Sequence, residues 1–252
     1  AGALLPDLPS AALLAAAALT MLKALESQPR GGRLLWWSLS GAATGAAALV
    51  RPATLFLPLV VAAALLALRQ PRWPRRLAQA GLFTAGMALL VAPWAVRNYL
   101  VLDRLVLGAT YSGYNLWLAH SLPARGGERP TSEAVVLHIL SRYGVQRTDE
   151  TGVDRTLFRE ALKQMADNLR RHPWQYARLL WRKANNLLRP QGETDQWLLW
   201  LALLGLVLAL SPGANGLPFL ILLGYWFVIH LMTLAQEPRY RLEVTPLAAS
   251  LA

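Results

Sequence analysis

Between Leu34 and Leu68 the chain carries one charged residue, Arg51, and Pro52 follows it at once. That single charge limits the possible folds more than any other feature. A helix crossing a membrane needs about 20 apolar residues at a rise of 1.5 Å each, so this stretch is too long for one span and suits two short ones. A charge at the bilayer centre costs roughly 2.5 to 3.5 kcal/mol even on insertion scales, and little at the interface. The stretch therefore reads as two helices meeting at a water-facing turn marked by Arg51 and Pro52.

The rest of the chain agrees with a membrane class. Mean hydropathy is +0.33, and 55% of residues are hydrophobic against 15% charged, too apolar for an ordinary soluble domain. The formal charge is +11, yet the arginines cluster between apolar blocks and form no long basic face and no aromatic-interleaved nucleic-acid motif. They read as orientation signals and phosphate contacts, and nucleic acid is not an expected partner. No cysteine is present, which excludes disulfides and thiolate metal sites. The opening "AGALLPDLPS" lacks a methionine and the basic start of a signal peptide, and the closing "TPLAASLA" reads as a helix just begun. The chain is thus expected to be a segment of a longer protein.

The same length test predicts helices near 8–25, 34–50, 53–68, 77–96, 196–211 and 217–236, with a seventh starting near Val244. The expected fold is an all-α polytopic membrane protein of about six transmembrane helices plus the start of a seventh. It divides into membrane helices over 1–96, a helical extracytoplasmic segment over 97–195, and C-terminal membrane helices over 196–252. Two short connections are basic, one with Lys23, Arg30 and Arg33 and one with Arg69, Arg72, Arg75 and Arg76. The positive-inside rule makes both cytoplasmic, and alternation then puts the Arg51 turn and the segment from Arg97 to Asp195 outside.

The outer segment turns polar at "SLPARGGERPTSE". After it, Leu157, Phe158, Ala161, Met165 and Leu169 recur at helical spacing, predicting an amphipathic helix. Pro173 can open a second one, whose stripe of Trp174, Ala177, Trp181, Ala184 and Leu188 opposes Arg178, Arg182 and Asn186. Such a helix suits a membrane surface.

Candidate chemistry is sparse. Asp149 and Glu150 are sequence neighbours whose side chains do not face one another, and they read as solvated charges near a helix start. His120, His138, His172 and His230 have no ligand spacing, so no metal site built from this chain is expected and no cofactor is evident. No nucleophile elbow, phosphate-cradling glycine loop or dinucleotide fingerprint occurs. What remains are polar groups expected at the outer helix ends: Arg51, Arg97, Asn98, Tyr99, the "YSGYNLW" stretch with Tyr114 and Asn115, Lys183, Glu237, Arg239, Tyr240 and Arg241. Arginine forks hold phosphate bidentately, so a cavity lined by them suits the phosphate of a lipid carrier. The plainer alternative is that each arginine snorkels to the headgroups.

In chain order, "ALVRPATLFLP", "PWAVRNYLVLDRLVLGATYSGYNLWLAH", "HPWQYARLLWRKANNLL" and "EPRYRLEVTP" resemble the bacterial family-39-like glycosyltransferases. These belong to the GT-C superfamily with the aminoarabinose transferases and protein O-mannosyltransferases. The likeness runs over nearly the whole chain and is most specific in the stretch from Arg97 to His120. Departures are Asp103, where a glycine is usual, Ala119 and His120 in place of Gly-Asn, and Glu243 where a proline is common.

The resemblance implies a multi-pass enzyme of the bacterial inner membrane, moving a sugar from a polyprenyl-phosphate carrier to an acceptor at the outer face. An aspartate would activate the acceptor hydroxyl while basic residues stabilise the departing lipid phosphate. In the family that aspartate precedes the point matched by Ala1, so no catalytic residue is expected here and the segment alone should be inactive. A divalent metal would join the site only through that upstream part. Arg51, Arg97, Arg239 and Arg241 are implied to hold phosphate or order the cavity, and Tyr114, Asn115 and Tyr240 to shape it. Two other classes compete: a lipid-phosphate-binding flippase, which would show inverted repeats and broken helices, and a noncatalytic membrane scaffold.

Overall fold

The computed structural model describes residues 7–27, 30–67, 73–103, 105–107, 112–122, 132–188 and 217–233. Every regular element among them is a helix. In chain order they are α1 (Asp7–Glu26), α2 (Arg30–Val50), a 3-10 turn (Pro52–Phe56), α3 (Leu57–Ala67), α4 (Trp73–Leu102), α5 (Ser112–His120), α6 (Ser132–Arg142), α7 (Glu150–Arg171), α8 (Pro173–Leu188) and α9 (Leu217–Met232). Contacts divide the chain into two units, one of Ala1–Gly108, Pro190–Phe227 and Arg239–Ala252, the other of Ala109–Arg189 and Val228–Pro238.

Two helices, Pro9–Glu26 and Trp73–Leu102, are long and apolar enough to cross a membrane, and Pro52–Leu66 and Leu220–Met232 are shorter apolar helices. The spans expected over 196–211 and from Val244 lie outside the described residues. The helix expected over 77–96 runs from Trp73 to Leu102. A span-length test stops where charges begin, but nothing in the flanking "WPRR" or "RNYLVL" ends a helix, and at 1.5 Å per residue the ends reach beyond the apolar section. For the same reason the helix expected from 34 begins at Arg30.

In the first unit α1 runs antiparallel to α2: Ser40 Oγ donates to the Ala17 carbonyl at 2.8 Å, and Lys23 Nζ stands 4.9 Å above the Trp36 ring. Helices α2 and α4 are parallel, because Gly41 meets Phe83, Gly45 meets Met87, and Ala48 packs with Met87 and Val91. Gly41 and Gly45 form a Gly-x-x-x-Gly ridge, and Gly86 completes it from α4. A methyl group on Gly41 would run into the Phe83 carbonyl and one on Gly86 into the Ser38 carbonyl. Small residues thus let two backbones touch, as membrane helices do where lipid provides no hydrophobic drive for association. Helix α3 returns along α4, and at its end Arg76, buried at the start of α4, donates to the Leu66 carbonyl at 3.4 Å, a cation at a helix C-terminus.

The second unit has its own core, Trp117 and Leu118 of α5 against Leu157 and Ala161 of α7, with Val136 and Ile139 of α6 packed on it. Gly113 sets how closely α5 approaches α7, since a Cβ there would collide with the Asp154 carbonyl. Helix α7 starts at Asp149, whose carboxylate accepts from the Gly152 amide at 2.9 Å and from the Thr151 hydroxyl at 3.1 Å, an N-cap satisfying an otherwise orphan donor. Helix α8 follows after His172, with Pro173 as its first residue, where the missing N–H costs nothing. It packs inward through Tyr176, Leu179, Lys183 and Leu187. The tryptophan stripe read from the sequence is the outward side: Trp174 is 86% exposed and Trp181 73%.

Candidate functional site

Arg51 is the non-helical residue between α2 and the 3-10 turn, with extended backbone at φ −145° and ψ 106°. It is half-buried, its amide is tied to the Ala47 carbonyl at 2.7 Å, and Pro52 opens the turn that carries the chain into α3. Because α2 and α4 are parallel and Ala48 packs with Val91, Arg51 comes level with the last third of α4. Arg97 follows about one turn further along the same direction.

The two arginines therefore stand at one end of the unit. Arg33, Arg75 and Arg76 occupy the helix starts at the other, with Lys23 beside them at the end of α1. Twenty uncharged residues separate Arg76 from Arg97 on α4, about 30 Å of helix, the thickness of a hydrocarbon core.

Arg97 is exposed. Its guanidinium lies 5.2 Å from the Trp94 ring centre, and its Nη1 donates to Asn98 Oδ1 at 3.1 Å. Asn98 is buried and donates through Nδ2 to the Val106 carbonyl at 3.0 Å, fastening the chain beyond α4 back onto the helix. Between them Asp103 has φ 51°. This left-handed conformation after a helix end favours glycine, and aspartate is among the few other residues that tolerate it. At the same end of the unit, the buried Tyr225 donates its hydroxyl to the Ala53 carbonyl.

The second unit holds a buried polar cluster. Lys183 is 1% exposed and His120 fully buried. The Met232 carbonyl lies 2.8 Å from His120 Nε2 and can only accept, so Nε2 carries the proton. Nδ1 is then the acceptor for the Tyr176 hydroxyl at 2.7 Å. Asn168 Nδ2 donates to the His120 carbonyl at 2.8 Å. Burial, reinforced by the Lys183 charge, lowers the His120 pKa to about 4, so the ring is neutral. Burial also lowers Lys183 to about 7. Among the described residues its Nζ meets one acceptor, the Ala119 carbonyl at 3.4 Å, a long bond and no counter-charge.

A cleft of about 430 Å³ opens among α5, α6 and α7, with Tyr114, Glu133, Leu137, Arg147, Glu150 and Asp154 on its walls. Arg147 and Glu133 pair across 2.9 Å. Asp154 accepts from the Gly113 amide at the start of α5, yet burial still raises its pKa.

Of the residues picked from sequence, Arg51, Arg97 and Asn98 belong to one end of the first unit, and Tyr114, Asn115 and Lys183 to the second. Asn115 is half-buried. Glu237, Arg239, Tyr240 and Arg241 lie outside the described residues. Among the described residues no three metal-ligating side chains gather. Sequence reading missed Tyr176 and Asn168 and set His120 aside for want of ligand spacing. One signal was available: Tyr176, Leu179, Lys183 and Leu187 also recur at helical spacing, on a different face from the tryptophans. Comparison of the chain with family models, curated proteins and solved structures finds no match.

Proposed function

We propose that this chain belongs to a bacterial plasma-membrane glycosyltransferase of the family-39-like type, with about six spans, the start of a seventh, and the long segment outside. It would bind a polyprenyl-phosphate sugar at the outer face. The observation that supports this reading best is the position of Arg51 and Arg97 at one end of a parallel helix pair, a hydrocarbon thickness away from the basic helix starts. Two guanidiniums at a membrane edge neutralise a phosphate whose charge grows as its bond to the sugar breaks.

In the transfer, the acceptor oxygen bonds to the anomeric carbon, the carbon–phosphate-oxygen bond breaks, and the acceptor proton passes to a carboxylate. In the resembled family that carboxylate lies before the part matched here. Arg51 and Arg97 are thus assigned binding and leaving-group stabilisation, and Asn98 orients Arg97 through its amide oxygen.

The test is turnover of a polyprenyl-phosphate sugar labelled in the sugar, by membranes containing this chain together with any sequence upstream of Ala1. Transfer of label to an acceptor, lost when Arg51 and Arg97 are replaced by alanine, is expected. Label that crosses the bilayer but stays on its carrier would overturn the transferase reading in favour of a flippase.

A further inference from the structure

The outward side of α8 has two parts. One is the apolar stripe with Trp174, Ala177 and Trp181 exposed, and these point away from the buried side of Tyr176, Leu179 and Lys183. The other is an adjoining groove of about 270 Å³ in which Gln175, Arg178 and Arg182 stand with Leu122 and the edge of Leu179. Arg178 and Arg182 are four residues apart, one helical turn, and so serve one groove. From residue 168 to 188 there is no acidic residue, while Arg170, Arg171, Arg178 and Arg182 are all exposed.

Large indole rings flanked by guanidiniums, with no carboxylate, match a boundary that is apolar on one side and negatively charged on the other. A neutral or cationic protein surface would leave the arginines without a complement. We propose that α8 docks on the membrane surface, with Trp174 and Trp181 at the headgroup boundary and the Arg178–Arg182 groove seating the phosphate of an anionic bilayer lipid. This inference needs the chain to be in a membrane, and it does not depend on sugar transfer.

The absence of cysteine allows a single nitroxide label at Ala177, between the tryptophans, and a control label at Ala166, exposed on α7. The labelled A177C and A166C chains are placed in nanodiscs of phosphatidylcholine alone or mixed with phosphatidylglycerol. Collision with oxygen is then compared with collision with a water-soluble nickel chelate.

The expected result is a label at 177 that favours oxygen in the anionic discs while the label at 166 favours nickel. Each arginine near an anionic surface is worth about fivefold, so R178Q with R182Q should weaken the docking equilibrium by about 25-fold and shift the 177 label toward nickel. Equal nickel access at 177 and 166 would overturn the docking. A 177 label immersed equally in both lipids and unaffected by R178Q with R182Q would overturn the phosphate groove. All four side chains are exposed, so folding of the variants is checked by an unchanged melting curve.

Discussion

The Tyr176 hydroxyl lies 2.7 Å from Nδ1 of His120, an imidazole that burial keeps neutral and whose Nε2 donates to the Met232 carbonyl. Protonating the ring would place a charge in a buried site beside Lys183. The His120 pKa falls from 6.5 to about 4 on folding, so the unfolded chain takes up the proton first. The His120 contribution should be fully present above pH 6.5 and be lost as the pH falls toward 4, by on the order of 2–3 kcal/mol. Thermal melts across that window test this, and His120→Gln should flatten the dependence.

Lys183 acts with the same sign at alkaline pH, because its pKa is lowered too. Its pKa drops from 10.5 to about 7, so folding expels a proton between those values, and stability should rise as the pH is raised from 7 toward 10.5. Lys183→Met keeps the volume and removes the buried charge. It should stabilise the protein at pH 7 by about 1–4 kcal/mol and abolish the alkaline rise. A destabilised K183M variant would mean that an anion outside the described residues neutralises the lysine.

How far these features were legible in the sequence depends on how local their causes are. Arg51 and Pro52 break a helix within their own turn, so the break could be placed from sequence. The role of Asp103 lies in its backbone, at φ 51°, which no side-chain pattern reports. The Gly41–Gly45 ridge matters only because Phe83 and Met87 lie opposite. The His120 cluster joins residues 48, 56 and 112 positions apart, a separation no periodicity reports. On α8 the sequence reads a tryptophan stripe suited to a membrane surface, and that stripe is exposed; the packed face with Tyr176 and Lys183 carries a lysine and so shows no apolar stripe.

The α2–α4 contact should be intolerant of volume. Gly41→Val has to displace the Phe83 carbonyl, which is backbone, and is expected to cost about 1–3 kcal/mol or more. Ala43→Val, at a half-buried position on the same helix, serves as the comparison. The check is the melting temperature in nanodiscs.

Asp103 should behave as a left-handed helix-end residue. Asp103→Gly is expected to be neutral or stabilising by up to about 1 kcal/mol, and Asp103→Val to destabilise by roughly 1–2 kcal/mol, because a β-branched side chain disfavours positive φ. Hydrogen exchange of the Val106 segment reads both.

The central claim is that Arg51 and Arg97 hold a lipid phosphate at one end of the first unit. Its most direct test is equilibrium binding of a polyprenyl phosphate to the chain in nanodiscs, comparing the native sequence with R51A, R97A and, at the opposite end of α4, R75A. A charge-assisted hydrogen bond contributes about 1.5–3 kcal/mol, so R51A and R97A should each weaken binding by roughly tenfold or more, with R75A unchanged. Equal affinity in all four proteins, or a loss confined to R75A, would contradict the account.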